Sequence, residues 1–318
     1  MKKLAEVGEY KILEHVLKIV AEHVEKNKLR VFGVGDDAQA VNLGGIWIFL
    51  KIDGSSASSS MYPWLTFGDL SYRIALSSIT DLVAKNSRPL LISSSVSISS
   101  DSDSETLLEI VRGVKDLAEA VGALYVGGDI NKLDHDDVVI DVASIGVSSN
   151  PKPSVPFREN LSVYSVKCLG LSSIPAVLYY LEKDFSVWRD LLRSTARPEP
   201  PMSFLSYSDS IEASTDISDG LNSLRKVLEK SRVDLVLSYE ALCPEVVEFS
   251  REEKVGIELL LNLMGEEYAI VSTTEVQDLP AVKIGHTASG YGRIYLDNHE
   301  LRGGWDNFLG YRLVNQYI

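Results

Sequence analysis

The chain has 318 residues, of which 31 are lysine or arginine and 45 are aspartate or glutamate, so its formal net charge at pH 7 is −14. This acidic balance argues against nucleic acid or an anionic membrane as the main partner. No apolar run reaches the roughly 18 residues that cross a membrane, and the first residues lack the apolar stretch of a signal peptide. We therefore expect a cytoplasmic protein.

Helical and extended patterns alternate in the first 150 residues. Leu13 and Val16 belong to apolar positions at helical spacing, which predict an opening amphipathic helix. Ser102 followed by Glu105 predicts a capping box at the start of a later helix. The serine-rich stretch 54–60 is predicted to be a loop. The other predicted elements, in chain order, are strands at 31–34 and 46–52, a helix at 69–85, and strands at 95–99, 123–126 and 138–147.

The best candidate for a linker is Asn150-Pro151-Lys152-Pro153, because closely spaced prolines interrupt regular structure. We predict a domain boundary there, which separates an N-terminal domain at 1–150 from a C-terminal α/β domain at 151–318. The alternation of strands and helices predicts α/β or α+β layers in both. In the second half, strands are predicted at 161–169 and 211–214, and helices through 174–193.

Five short acidic signatures are placed mostly where strands end. In α/β folds, such residues tend to face the ligand crevice at the carboxyl edge of the sheet. Two carboxylates about 4 Å apart repel by roughly 4 kcal/mol at an effective dielectric near 20, so a cluster persists only when cations neutralise it. Oxygen ligands suit Mg²⁺, which in turn favours a phosphate substrate. The signatures are Gly35-Asp36-Asp37, Ile52-Asp53, Thr80-Asp81, Gly127-Gly128-Asp129 and Asp216-Ile217-Ser218-Asp219-Gly220.

Each acidic signature also has a simpler structural interpretation. Asp36-Asp37 alone is more typical of a turn or a helix cap, and Ser218 or Asp219 can cap the helix that follows. Asp81 lies in a largely apolar helix, where a carboxylate is costly unless something pairs with it. The order of the whole set favours a metal site. The chain has no Gly-Lys dipeptide, which excludes a Walker P-loop.

The two cysteines, Cys168 and Cys243, are far apart in sequence and show no metal-ligand spacing. We expect buried thiols, with neither a zinc site nor a disulfide framework. No serine or cysteine nucleophile stands out, so the predicted chemistry depends on metals and on the backbone.

The acidic signatures belong to a longer set of seven ordered motifs. These are Gly35-Asp36-Asp37-Ala38, Asp53, Asp81-Leu82 with Arg88-Pro89, Gly127-Gly128-Asp129, Asp216-Ile217-Ser218-Asp219-Gly220-Leu221, Gly265-Glu266-Glu267-Tyr268 and Gly304-Trp305-Asp306-Asn307-Phe308. Together they resemble the thiamine-monophosphate kinase family, over nearly the whole chain. That family belongs to the aminoimidazole ribonucleotide synthetase-like superfamily. The resemblance implies two α/β domains with mixed sheets flanked by helices, a cleft between them, and a homodimer with ATP near its interface. By the same resemblance, the N-terminal domain at 1–150 binds ATP and metal and forms the dimer, and the C-terminal domain at 151–318 completes the cleft.

The resemblance also implies a reaction, the Mg²⁺- and ATP-dependent phosphorylation of thiamine monophosphate to thiamine diphosphate. Phosphoryl transfer depends on positioning and charge neutralisation, so no covalent catalytic residue is expected. Glu266 is expected to pair with the cationic ring system of thiamine, and Trp305 to stack on it. ATP contacts are implied for Gly128, Asp129, Arg158 and Ser218. Metal ligands are implied for Asp37, Asp53, Asp81, Asp129, Asp216 and Asp219.

The chain departs from the family pattern around the substrate. Lys51-Ile52 stands where the family usually has serine or threonine followed by threonine, so hydroxyl ligands before Asp53 are lost. The segment 55–64 replaces a loop that carries a histidine in the family, with Trp64 at its aromatic position. Further replacements are Ile130-Asn131-Lys132 for Thr-Thr-Arg and Met264-Gly265-Glu266-Glu267 for Gly-Gly-Glu-Asp. We expect a preserved metal core with an altered substrate shell.

Two alternatives to this kinase stay open. One is another ATP-dependent enzyme of the same superfamily, such as a purine-pathway synthetase. The other is a catalytically weak homodimer that binds nucleotide or thiamine phosphate. Lys51 favours the second, because a cation beside Asp53 can replace one magnesium ion while it keeps the fold neutralised.

Overall fold

The fold contains two mixed β-sheets, one from each half of the chain, with helices packed against them. A computed structural model describes residues 3–27, 30–263, 270–305 and 308. The predicted fold class, with mixed α/β layers in both halves, is confirmed. None of the helices within these ranges is long and apolar enough to cross a membrane.

The first half forms a six-stranded sheet. Its strands are β1 (Val31–Phe32), β2 (Gln39–Leu43), β3 (Ile46–Ser56), β4 (Arg88–Ser99), β5 (Leu124–Leu133) and β6 (Val138–Ser148). The helices of this half are α1 (Leu4–Val7), α2 (Glu9–Glu25), α3 (Ala57–Ser60), α4 (Phe67–Ala84) and α5 (Ser104–Val121). The strand order is β1-β2-β3-β6-β4-β5, and β4 and β5 run parallel because α5 connects them.

The second half forms a seven-stranded sheet in the order β13-β12-β9-β11-β7-β10-β8. Its strands are β7 (Ser162–Ser165), β8 (Ala213–Asp216), β9 (Val233–Leu237), β10 (Ile270–Thr274), β11 (Val282–Ser289), β12 (Ile294–Leu296) and β13 (His299–Glu300). Its helices are α6 (Ser173–Tyr180), α7 (Arg189–Ala196), α8 (Arg225–Ser231), α9 (Pro244–Glu253) and α10 (Ile257–Asn262). The helices predicted through 174–193 correspond to α6 and α7, and the strand predicted at 161–169 is shorter.

Helix α4 is the central element of the molecule. It begins at a capping box in which Thr66 Oγ1 accepts from the Asp69 amide at 3.1 Å and Asp69 Oδ2 accepts from the Thr66 amide at 3.0 Å. Almost all of its residues are buried, since it packs between the first sheet, α5 and β8. Ile79 and Leu82 share one hydrophobic core with Phe204 from the second half. The two halves are therefore joined by a common core.

The segment between the sheets is fixed in place. The Lys152 amide donates to the Lys85 carbonyl at 3.2 Å, and the Ser154 amide donates to Asp36 Oδ2 at 3.1 Å. Lys152 and Ser154 are both buried. The domain boundary near residue 150 stays a prediction.

Strand β5 continues through the glycine pair that was predicted to follow it. The expected strand at 123–126 extends to Leu133, because β4 pairs with it on both sides of a bulge and places Ser94 opposite Gly128. A Cβ built on Gly128 would lie 1.6 Å from the Ser94 carbonyl oxygen. Glycine is thus required here by the close approach of two backbones.

The serine-rich stretch 54–60 is likewise more regular than predicted. Its first residues extend β3, because Ser56 still pairs with Val139 of β6, and the rest forms α3. Serine hydroxyls hydrogen-bond to one another along this stretch, with Ser55 Oγ 2.6 Å from Ser60 Oγ. The segment is a structured rim where a loop was expected.

Cys168 and Cys243 form a disulfide, so the prediction of two buried thiols is wrong. The two cysteines meet because of the tertiary structure. The Leu169 amide donates to the Ala241 carbonyl at 2.8 Å, and the Cys243 amide donates to the Leu169 carbonyl at 3.0 Å. These bonds align the segment after β7 with the start of α9 and bring the two cysteine Cα atoms to 4.9 Å. Spacing in the sequence carries no signal of this alignment.

Candidate active site

A cavity of about 1280 Å³ lies between the two halves of the chain. Its walls come from the loop before β2, from β3 and α4 in the first half, and from the end of β8 and α8 in the second. This volume exceeds that of most small-ligand pockets and is large enough for two ligands side by side.

Three predicted metal ligands meet inside this cavity. Asp37 lies in the loop between β1 and β2, Asp81 in the last turn of α4, and Asp216 at the end of β8. One carboxylate oxygen from each lies within 4.8 Å of the others. Three separate elements thus bring their carboxylates to one point, an arrangement suited to a hard cation.

Lys51 lies against this cluster. Its Nζ atom is 2.5 Å from Asp81 Oδ2 and 3.6 Å from Asp53 Oδ2. Lys51 and Asp53 are two residues apart on β3, so their side chains leave the same face of the strand. Burial lowers the pKa of Lys51, but the negative charges of Asp81 and Asp53 more than offset this, and the net pKa is raised. Lys51 is therefore an ammonium ion throughout the physiological range.

Burial raises the pKa values of Asp53, Asp81 and Asp216, and the positive charge of Lys51 opposes this rise without cancelling it. Burial, followed by the charge of Asp37, raises the pKa of Asp216 to about 7. Burial and the charge of Asp216 raise the pKa of Asp81 well above its usual value. Burial also raises the pKa of Asp53, whose Oδ2 has no hydrogen-bond donor among the described residues. Bound cations would stabilise the charged forms of all three.

A second lysine, Lys85, was missed in the sequence. It is fully buried, with Nζ 2.7 Å from Asp36 Oδ1 and 2.9 Å from Asp37 Oδ2. It also donates to Ser154 Oγ at 2.7 Å and to the Ser214 carbonyl at 2.6 Å. Lys85 therefore fixes the Asp36-Asp37 loop to the second half. In the sequence, the only sign of this role is that Lys85 directly follows the apolar end of α4.

Ser218 and Asp219 also line the cavity. The Ser218 hydroxyl donates to the Asp216 carboxylate, an interaction that lowers the pKa of Asp216 and partly opposes the effect of burial. Gly220 follows with φ +75°, and a Cβ built on it would lie 3.0 Å from the backbone of Asn262, which leaves little room for a side chain. The Asp216-to-Gly220 motif therefore combines a ligand, its orienting hydroxyl and a tight turn.

Other predicted site residues lie elsewhere. Asp129 and Gly128 are on β5, which is three strands from β3, or about 14 Å at the usual strand spacing. Asp129 Oδ2 accepts from Asn131 Nδ2 at 3.1 Å and is exposed. Arg158 is exposed, with its Nε 2.6 Å from Glu212 Oε2. Among the described residues, the cavity lining includes none of these three, and Glu266 lies outside the described residues.

Aromatic side chains form another wall of the cavity. Tyr62, Tyr180 and Trp305 line it, and the Tyr180 and Trp305 rings are 5.8 Å apart. Trp64 does not reach the lining but packs against Tyr62 at 5.3 Å from the outside. Stacked aromatic faces of this kind attract a planar cationic ring.

Comparison with known proteins agrees with this fold. Residues 35–148 match the family described as AIR synthase related protein, N-terminal domain. The molecule is thus defined as a protein of the AIR synthase-related fold, with an acidic cleft between its two halves. Within that class it resembles thiamine-monophosphate kinases, and the resemblance predicted from the ordered motifs is confirmed.

Curated thiamine-monophosphate kinases match most of the chain. The protein from Pyrobaculum calidifontis is 26% identical, over 83% of this chain and 88% of its own length. The protein from Pyrococcus horikoshii is 24% identical, over 89% of this chain and 93% of its own length. A solved structure, AaThiL complexed with AMPPCP and TMP, superimposes with a TM-score of 0.83 at 21% identity, covering 96% of this chain and 99% of that one.

Proposed function

We propose that the protein transfers the γ-phosphoryl group of ATP to the phosphate of thiamine monophosphate, giving thiamine diphosphate and ADP. The observation that carries this proposal is the convergence of Asp37, Asp81 and Asp216 in a cavity that also has an aromatic wall. The curated relatives support the phosphotransferase class. The AaThiL complex supports an ATP analogue and TMP as the ligand types.

The cluster fits Mg²⁺ by the chemistry of its donors. Carboxylate oxygens are the ligands this ion prefers, and the buried Asp53 Oδ2 lacks a hydrogen-bond donor among the described residues. We propose Asp37, Asp53, Asp81, Asp216 and Asp219 as its ligands. When bound, Mg²⁺ neutralises charge on the phosphates. Asp129 belongs to the proposed ligand set by resemblance alone.

The protein's own groups supply position and charge. Lys85 fixes Asp37, and Ser218 orients Asp216. In this proposal the rings of Trp305 and Tyr180, which line the same cavity as the acids, hold the thiamine ring. Such positioning converts an intermolecular transfer into one between bound groups, which is the main source of rate in phosphoryl transfer.

The homodimer and the cytoplasmic location are also parts of this proposal. Support for the dimer comes from apolar side chains on the outer face of the first sheet, including Leu50, Ile52 and Leu124, which are 49%, 60% and 63% exposed. Ile52 points away from the cavity because it alternates with Lys51 and Asp53 on β3. Burying such a surface against a second copy would remove it from water. The disulfide is compatible with a cytoplasmic location, because intracellular disulfides occur in hyperthermophiles.

The test is formation of thiamine diphosphate from thiamine monophosphate and ATP with Mg²⁺. Asp216→Asn and an EDTA control are expected to abolish product, while Asp209→Asn, outside the cavity lining, retains it. If the wild-type protein binds ATP by calorimetry but makes no product, thiamine monophosphate is not the acceptor. A weak binding homodimer would then be favoured, as Lys51 suggests.

A further inference from the structure

The Lys51 side chain places a permanent positive charge inside the acidic cluster. Its Nζ atom is 2.5 Å from Asp81 Oδ2, and the two side chains are 21% and 7% exposed. A charge so little exposed to water is stabilised mainly by its ionic partners. Lys51 is therefore part of the charge balance of the site.

The Lys51 ammonium and a divalent ion would compete for the place between Asp53 and Asp81. An ion bridging Asp53 and Asp81 would lie beside the ammonium group that already contacts Asp81 Oδ2. The two positive charges would repel each other within a few Å, in a place where little water is present to screen them. The ammonium and the ion thus exclude one another from this side of the cluster.

The surroundings of Asp53 indicate which carboxylates the Lys51 ammonium neutralises. Its Oδ2 atom is buried and has no hydrogen-bond donor among the described residues, and Lys51 Nζ lies 3.6 Å away. This contact is an ion pair longer than a hydrogen bond. The remaining carboxylates, Asp37 and Asp216, each have an oxygen within 4.8 Å of one from Asp81.

We propose that the Lys51 ammonium is a resident cation that takes the place of one divalent ion between Asp53 and Asp81. The divalent ions then bind where Asp37, Asp81 and Asp216 meet. The inference rests on the proposed function for the use made of the metals, but the number of ions bound is a property of the protein alone.

The experiment counts tightly bound Mn²⁺ per chain by electron paramagnetic resonance, without nucleotide or thiamine phosphate. Lys51→Met, which keeps the length of the side chain and removes its charge, is expected to bind one ion more than the wild type. Lys115→Met is the matched control, because Lys115 is 51% exposed and pairs with Glu119 outside the cavity lining. Equal counts for Lys51→Met and the wild type would overturn the inference.

A second variant keeps the test valid if Lys51→Met fails to fold. Lys51→Met leaves buried carboxylates without their cation, whereas Lys51→Met combined with Asp53→Asn removes one charge of each sign. This double variant is expected to fold without metal and to bind as many ions as the wild type, and an extra ion in it would contradict the proposed role of Asp53.

The kinase assay, run on the same preparations, separates this inference from the proposed function. If Lys51→Met binds an extra ion while the wild type forms no thiamine diphosphate, the inference is upheld and the proposed function is overturned. If the wild type forms thiamine diphosphate but Lys51→Met and the wild type bind equal numbers of ions, the proposed function is upheld and the inference is overturned.

Discussion

Lys85 Nζ lies 2.9 Å from Asp37 Oδ2, and the lysine is fully buried at the point where both halves of the chain meet. Asp37 is also a proposed metal ligand, so one of its oxygens is held by a lysine. The other, Oδ1, accepts from Thr215 Oγ1 at 2.9 Å. The geometry of the cluster is thus set by protein contacts before any ion binds.

Replacing Lys85 by methionine is expected to lower the free energy of unfolding by about 3–5 kcal/mol, since it leaves the partly buried carboxylates of Asp36 and Asp37 without their cation. Urea unfolding followed by circular dichroism measures this. Lys132→Met, at an exposed site, should change stability by less than about 0.5 kcal/mol. A Lys85→Met protein as stable as the control would mean that Lys85 does not hold the loop.

The metal-free protein is expected to lose stability as the pH rises from about 4 to about 7. The pKa of Asp216 is about 7 in the folded state, above its ordinary value, so the folded state holds a proton that the unfolded state releases. The stabilisation is complete below pH 4 and is lost through pH 7. Asp81 acts in the same direction, because its pKa is also raised.

Urea unfolding at pH 5 and pH 8 with EDTA measures this dependence, and Asp216→Asn should reduce the difference. Mg²⁺ should reduce it as well, because a bound cation favours the ionised carboxylates. A pH dependence that is the same in Asp216→Asn and the wild type would show that Asp216 is not the group responsible.

Gly128→Ala is expected to be destabilising by at least about 1–3 kcal/mol, because the new methyl group would meet the Ser94 carbonyl oxygen at 1.6 Å. Thermal melting compared with Gly256→Ala measures the effect. Gly256 is a fair control, since a methyl group added there would have no heavy atom within 4 Å. Equal melting temperatures would imply that β4 and β5 separate easily.

Reduction of the disulfide is expected to lower stability by about 2–4 kcal/mol, because the crosslink closes a long loop, with Cys168 and Cys243 separated by 75 residues. Melting with and without a reductant measures this. The double variant Cys168→Ser, Cys243→Ser should melt at the lower temperature under both conditions. A wild-type melting curve unaffected by reductant would indicate that the crosslink contributes little.

Trp305→Ala is expected to raise the KM for thiamine monophosphate about tenfold and to leave the KM for ATP within about twofold. A tenfold change corresponds to about 1.4 kcal/mol, which is within the range of a cation–π contact. Steady-state kinetics with each substrate varied in turn measures both constants. Tyr291→Ala, at a side chain 85% exposed and outside the cavity lining, is the control. An equal rise in both constants would place Trp305 outside the thiamine subsite.

Local patterns in the sequence predicted the fold class and the acids that meet in the cavity. Asp37, Asp81 and Asp216 stand out because carboxylates beside apolar segments need a partner. The departure at Lys51 was likewise visible, since it replaces a hydroxyl residue two positions before Asp53. Asp129 looked equivalent to the others in sequence, but its strand lies at the far side of the sheet.

The sequence by itself determined which segments alternate between helix and strand and which acids lie beside apolar segments, because periodicity and the identity of neighbouring residues are local properties. Only the tertiary structure decided that Lys51 contacts Asp81, that Lys85 joins Asp36 to Ser214, and that the two cysteines meet. These contacts depend on strand register and on the packing of residues far apart in the chain, and no pattern of neighbouring residues encodes them.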